Sequence, residues 1–310
     1  MTDTSDKSHA APHRPSHVDN YLVGMLFALL AFFLLAAMNM IAKLLSVNHS
    51  VLEISFYRNL IAVMPFLFVV FGMGRRDILK AKGDVKLLIF RSVLGTVSLA
   101  VTFAAYAAMP MADTTAFLFT TSLIVPALGF FMLGERVSSF RWSAIAAGFI
   151  GVLIMVRPAG DVNVLGVTLA LSAAFIHAFL QILLRKLGKV ESPETVTFYF
   201  LLIGMLVTAV PMPFIFTMPT MEQVPLLIAI GLCGALAQLC LSIAYKNAPA
   251  NVVTTFNYSG IIWATAFGWF IWSDWPTLNV WIGGVLVILS NLVILWREAR
   301  AGARQPRAVE

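Results

Sequence analysis

Ten stretches of about 20 mostly apolar residues follow one another along this chain, and that series limits the fold more than any other feature. They run roughly over 21–45, 51–73, 86–108, 112–133, 140–157, 165–187, 194–217, 223–246, 250–272 and 277–296. As helices rising about 1.5 Å per residue, such stretches cross the hydrocarbon layer of a bilayer. The linkers are short, so neighbours form antiparallel hairpins and no separate soluble domain fits between them. Of 310 residues, 60% are hydrophobic and only 12% charged, where a water-soluble domain carries about 25%. The expectation is an all-α membrane protein with lipid covering what water cannot.

The basic residues set its orientation. With the N-terminus in the cytoplasm, 17 of the 21 Lys and Arg fall in cytoplasmic loops and tails. Only Arg157 lies on the far side, and Lys43, Arg58 and Arg91 lie within spans. By the positive-inside rule both termini are cytoplasmic, and the number of spans is even. The same distribution accounts for the net charge of +6, so no nucleic-acid partner is required. Residues 1–20 read as a disordered tail with no cleavable signal peptide. Its His9, His13 and His17 recur every four residues, but Pro12 and Pro15 interrupt the helix that would gather them around a metal. Cys233 and Cys240, seven residues apart in one apolar run, read as small buried residues, not a disulfide.

The chain also repeats itself. Ala105, Tyr106, Pro110, Thr115 and Phe117 match Ala244, Tyr245, Pro249, Thr254 and Phe256 at an offset of 139. At the same offset Glu135 meets Asp274 and Trp142 meets Trp281. Earlier spans match at offset 142: Asn39 with Gln181, Lys43 with Arg185, and Phe56–Tyr57 with Phe198–Tyr199. Each half holds five spans. Five is odd, so the second half enters the membrane from the opposite side, as in inverted-repeat transporters.

The segment FYRNLIAVMPF, the block from Ala105 to Pro158 and its echo from Ala244 to Trp296 resemble the drug/metabolite transporter superfamily, in its ten-helix group with paired EamA domains. The resemblance covers about residues 20–298. It implies two inverted five-helix repeats, 21–157 and 158–298, forming a basket around a central cavity, between tails at 1–20 and 299–310. It also implies a bacterial inner-membrane carrier, since relatives of this kind move amino acids, nucleotide sugars, vitamins and drugs.

Polar residues inside the spans mark where that cavity lies. Arginine at mid-bilayer costs about 2.5–3.5 kcal/mol on insertion scales. Arg58 sits seven residues into the second span, sharing a helical face with Ser55 and Asn59. It is either an anchor for a carboxylate or phosphate, or half of an ion pair with Glu53 or Asp113. His177, Gln181 and Arg185 form a stripe in the sixth span, and Asn39 and Lys43 echo Gln181 and Arg185 in the first. His177 is a candidate proton carrier or a hydrogen-bonded neutral side chain. Arg91, Gly95, Ser98, Thr102 and Tyr106 share a face of the third span, and Gly231, Gly234, Gln238, Ser242 and Tyr245 one of the eighth. Tyr199, Asn257, Tyr258 and Trp263 complete a candidate wall of aromatic and amide groups. The expected substrate-binding set is therefore Arg58, Asn59, Asn39, Gln181, His177, Tyr199, Gln238, Asn257, Tyr258 and Trp263. Lys43, Glu53, Asp113, Tyr106 and Tyr245, near span ends, are the expected gating or ion-pairing residues.

No nucleotide-binding loop, metal-ligand cluster or catalytic constellation stands out, so no enzyme activity, cofactor or metal is expected. The leading reading is a secondary transporter of a small polar, zwitterionic or heteroaromatic metabolite, with the lipid bilayer and the solute as its partners. Nothing requires more than a monomer. The competing readings are a membrane enzyme acting on lipid, and a receptor or assembly subunit that transports nothing.

Overall fold

The computed structural model describes residues 21–133, 139–156, 163–187, 190–248 and 250–304. The N-terminal tail, residues 305–310, Glu135 and Pro249 lie outside the described residues, as do the side chains of Arg185 and Thr254. Among the described residues there is no β-strand, and a helical rod stands at each of the ten predicted spans. The first three are α1 (Tyr21–Leu45), α2 (Val51–Leu67), which runs on as a π turn over Phe68–Gly72, and α3 (Val85–Ala108). The fourth is split into α4 (Met111–Leu118) and α5 (Thr121–Leu133). Then come α6 (Ser139–Val156), α7 (Val164–Leu187), α8 (Pro193–Ala209), the single turn α9 (Met212–Ile215) and α10 (Val224–Asn247). The ninth rod is split into α11 (Ala250–Thr255), a 3₁₀ turn over Phe256–Tyr258 and α12 (Ser259–Trp272), and α13 (Leu278–Arg304) closes the chain. Six of these rods are long and apolar enough to cross a membrane, and α6, α8 and α13 carry shorter apolar segments. This is an all-α membrane protein.

Local chemistry fixes where the rods start. Ser50 caps α2 by accepting from Glu53 N at 3.2 Å, Asp84 caps α3 by accepting from Lys86 N at 2.9 Å, and Ser192 caps α8 by accepting from Thr195 N at 3.2 Å. Each bond satisfies an amide that the first helical turn leaves free. The seventh span is shorter than hydropathy suggests. Residues 210–217 are apolar, but Pro211 and Pro213 break the helix, and α8 stops at Ala209. Pro211 therefore caps a short turn and does not lie inside a span, whereas Pro65 and Pro126 do lie inside α2 and α5. Pro110 precedes α4 as its cap, with extended φ −53° and ψ 145°, instead of occupying the first turn.

Each main packing pair joins the first half of the chain to the second: α1 lies along α10, α2 along α8, α3 along α7 and α6 along α13. In the α6–α13 pair a Cβ on Gly151 would stand 2.7 Å from the carbonyl oxygen of Gly283, so only glycine allows this backbone approach. The end of the bundle where α1 begins is called proximal below, and the end where α1 finishes, distal. Polar clamps tie the halves at both ends. Proximally, Glu191 Oε1 accepts from Lys82 N at 2.8 Å and Gly83 N at 2.6 Å, and Tyr199 Oη donates to Leu79 O at 3.0 Å. Distally, Glu53 Oε1 lies 3.1 Å from His49 Nδ1 and accepts from Thr217 N at 3.2 Å. His49 Nε2 donates to Gln223 Oε1 at 3.0 Å, an oxygen that also accepts from Thr220 N.

Candidate substrate cavity

A cavity of about 430 Å³ lies between the two halves, within the range of pockets that hold drug-sized solutes. Seven of the expected binding and gating residues stand in its wall: Asn39 from α1, Arg58 from α2, Tyr106 from α3, His177 and Gln181 from α7, Gln238 from α10 and Asn257 from the 3₁₀ turn. Apolar wall comes from Phe32, Leu99, Phe119 and Phe200, among others. The split rods both reach it, through Leu118, Phe119 and Thr121 on one and Asn257 and Gly260 on the other.

Arg58 is 3% exposed, and its Nη1 donates to Asn59 Oδ1 at 2.8 Å. Its Nε is buried with no partner. Neither expected acidic partner is bonded to it: Glu53 is held by His49, and Asp113 adds to the negative field around Lys43. The guanidinium instead stands over Phe200, 5.6 Å from the ring centroid. Arg91, reaching in from α3, stands over the same ring at 4.8 Å, with Nε and Nη1 buried and unbonded. The site set read from the sequence omits Arg91. It shares the polar stripe of Gly95, Thr102 and Tyr106, which was the available signal. Its depth, six residues from the start of α3, resembles that of a side chain that escapes to the interface. Two guanidiniums in one cavity repel by roughly 1–3 kcal/mol at an effective dielectric near 20.

Glycines make room for this arrangement. A Cβ on Gly95 would stand 2.9 Å from Phe200, and one on Gly234 would stand 2.9 Å from Arg58 Nε. Around the polar rim, the Tyr106 hydroxyl meets Thr115 Oγ1 at 3.0 Å and bonds the side chain of Asn39.

Four expected binding residues stand off the cavity. Asn59 is fully buried behind Arg58, which it steadies. Tyr199 is spent on Leu79 O, and Trp263 packs edge-on against Phe33 at 5.1 Å. Tyr258 packs against Phe119 at 5.3 Å and bonds Ser122. Of the end-of-span group, Lys43 is the hub. Its Nζ donates to Met109 O at 2.7 Å, lies 3.8 Å from Asp274 Oδ2 and stands 4.9 Å from the Trp272 ring. Below this cluster Tyr106, Met111 and Ala264 pack with Met40, Leu118, Phe267 and Trp272, closing the distal end. Towards the proximal end the wall residues Gln181, Leu184 and Asn257 are exposed. Tyr106 is 3% exposed and Tyr245 48%.

A ten-rod helical bundle of this hydropathy, enclosing a mainly apolar chamber with polar groups in its wall and one end shut, defines a multi-pass carrier of small molecules. The particular family follows from comparison. Residues 22–157 and 164–296 each match the EamA-like transporter family, so the chain belongs to that family, within the drug/metabolite transporter superfamily. It is 29% identical over 274 residues to a pseudopaline exporter of Pseudomonas aeruginosa, covering 87% of this chain and 95% of that one. A riboflavin transporter of Vibrio cholerae is 29% identical over 295 residues, covering 92% and 96%. An S-adenosylmethionine uptake transporter of Rickettsia felis is 24% identical over 290 residues, covering 92% and 96%. One solved crystal structure superposes with a TM-score of 0.60 at 15% identity, covering 91% of this chain and 98% of that chain, a likeness of fold. The chain is a small-molecule transporter of a bacterial membrane.

Proposed function

We propose that this protein is a secondary transporter that moves a small polar, zwitterionic or heteroaromatic organic metabolite across the inner membrane by alternating access, with both termini cytoplasmic and no catalytic step. The observation that carries this reading is Arg58: a buried guanidinium without a carboxylate partner among the described residues, in the wall of a chamber enclosed by both halves. A charge so placed is tolerated when a solute meets it. The solutes named for the relatives, among them riboflavin and S-adenosylmethionine, are organic metabolites, and this chain's wall of aromatic rings and amides suits that class.

Two contacts support a two-fold relation between residues 21–157 and 158–298. Phe119 and Tyr258 correspond at offset 139, Arg58 and Phe200 at offset 142, and each corresponding pair touches. Corresponding residues of two related units meet only at the axis that relates them. In an inverted repeat that axis lies in the membrane plane and exchanges the two ends. Tyr106 and Tyr245 also correspond, and one is buried while the other is exposed. With the proximal wall residues Gln181 and Asn257 exposed and Tyr106 packed under the distal cluster, the present state reads as closed distally and open proximally. Its alternate has Tyr245 buried, Tyr106 exposed and the Lys43 cluster broken. Lys43, Asp274 and Asp113 form the distal gate, while Glu53 acts with His49 as a clamp away from the solute path.

Counterflow in proteoliposomes tests the proposal. Saturable exchange of a labelled metabolite, lost in Arg58→Gln, is the expected result. A lipid-modifying enzyme or a non-transporting subunit would give no exchange with any solute of a broad panel.

A further inference from the structure

Resting on that reading of the chamber, we infer that the solute is an organic dianion, gripped by Arg58 and Arg91 over the ring of Phe200. Among the described residues the chamber wall carries two guanidiniums and no Asp or Glu. Arginine stays charged under any physiological condition. Neither guanidinium has an acidic partner within ion-pair distance among the described residues. Nε of Arg58, and Nε and Nη1 of Arg91, are buried donors with nothing to donate to among the described residues. A zwitterion would satisfy one guanidinium and bring an ammonium group against the other. Its amine would find only neutral oxygens in the wall, from residues such as Asn39 and Gln181. Two negative charges neutralise the site, fill the free donors and remove the repulsion between the arginines.

The arrangement is built rather than incidental. Phe200 lodges where Gly95 lacks a Cβ, and Arg58 lodges where Gly234 lacks one; those glycines correspond at offset 139. Both guanidiniums stand within 6 Å of one ring, close enough for a single small solute to touch both. Arg58 and Phe200 mark the axis that exchanges the two ends, so the grip stays central while the gates on either side alternate. An apolar or aromatic body then lies along Leu99 and Phe119.

The probes are four compounds with the same ring: phthalate and phenyl phosphate as dianions, benzoate as monoanion, and benzyl alcohol as neutral control. Apparent Kd comes from ligand-dependent thermal shift of the purified full-length protein, up to roughly 10 mM, well beyond a millimolar Kd. The expected result is that at least one dianion binds about tenfold or more tightly than benzoate, with phthalate or phenyl phosphate leading according to whether carboxylates or phosphate fill the grip. In Arg58→Gln and in Arg91→Gln that ratio falls to within about threefold, while Arg91→Lys keeps the preference for charge. Equal binding of benzoate and both dianions overturns the inference, as does no stabilisation by either dianion. Saturable counterflow of uncharged riboflavin with no dianion binding would sink the inference and leave the transporter reading standing. Dianion binding without exchange of any solute would do the reverse.

Discussion

Arg58 shows how a residue unfavourable to the fold becomes intelligible through the site. Its buried, half-bonded guanidinium opposes stability by something like the 2.5–3.5 kcal/mol that insertion scales assign to a mid-membrane arginine. Arg58→Met should therefore raise the melting temperature of the ligand-free protein while abolishing solute-dependent stabilisation. A lower melting temperature would mean that Arg58 is structural. Glu53 is the opposite case. Glu53→Gln weakens its contact with His49 and so loosens the turn at Thr217, with an expected loss of about 1–3 kcal/mol in thermal unfolding and little change in solute affinity. The sequence made Arg58, Asn39, His177, Gln181 and Gln238 legible because a polar side chain in an apolar span must face something polar. It could not separate cavity-facing from packing aromatics. Tyr199 and Tyr258 stand off the chamber because bonds to Leu79 O and Ser122 satisfy them equally well, and Trp263 stands off it with its ring packed on Phe33. Arg91 went ungathered because one helix's periodicity does not show how that helix is rotated against its neighbours.

At the scale of elements, the two split rods are the part of the fold that hydropathy hides. Span four is as apolar as most others and span nine less so over its first half, and both break where they meet the cavity, at Phe119–Thr120 and Phe256–Tyr258. Irregular backbone at such depth is tolerated where it lines a cavity. Gly260 follows the second break with open space around its missing Cβ, so an alanine there meets no clash. Gly260→Ala should stabilise the protein by about 0.4–1 kcal/mol and slow exchange if the break flexes during transport. Unchanged exchange rates at higher stability would show that it does not. The ten rods were legible because each follows a largely apolar run, six of them long enough to match bilayer thickness. The early end of α8 was not, since proline acts on backbone hydrogen bonding, which hydropathy ignores.

For the whole molecule, the decisive feature is the difference between its ends. Lys43 joins α1 to Met109 and Asp274 across the distal end, and Lys43→Met keeps the stem while removing the ammonium. That variant should shift the population towards the distally open state, seen as faster thiol labelling at a distal site such as Tyr106→Cys. The repeat read from residue offsets supplies the reason, because corresponding tyrosines occupy opposite ends in unlike environments. The most direct measurement places single cysteines at Tyr106 and Tyr245, with Cys233 and Cys240 replaced by alanine, and applies a membrane-impermeant maleimide to vesicles of known orientation. Tyr245→Cys should react from the face carrying the N-terminus. Tyr106→Cys should react from the opposite face only, faster in the Lys43→Met background and in inverse proportion to Tyr245→Cys. Labelling of both positions from one face, or of both at once regardless of Lys43, would contradict a chamber that opens to alternate sides.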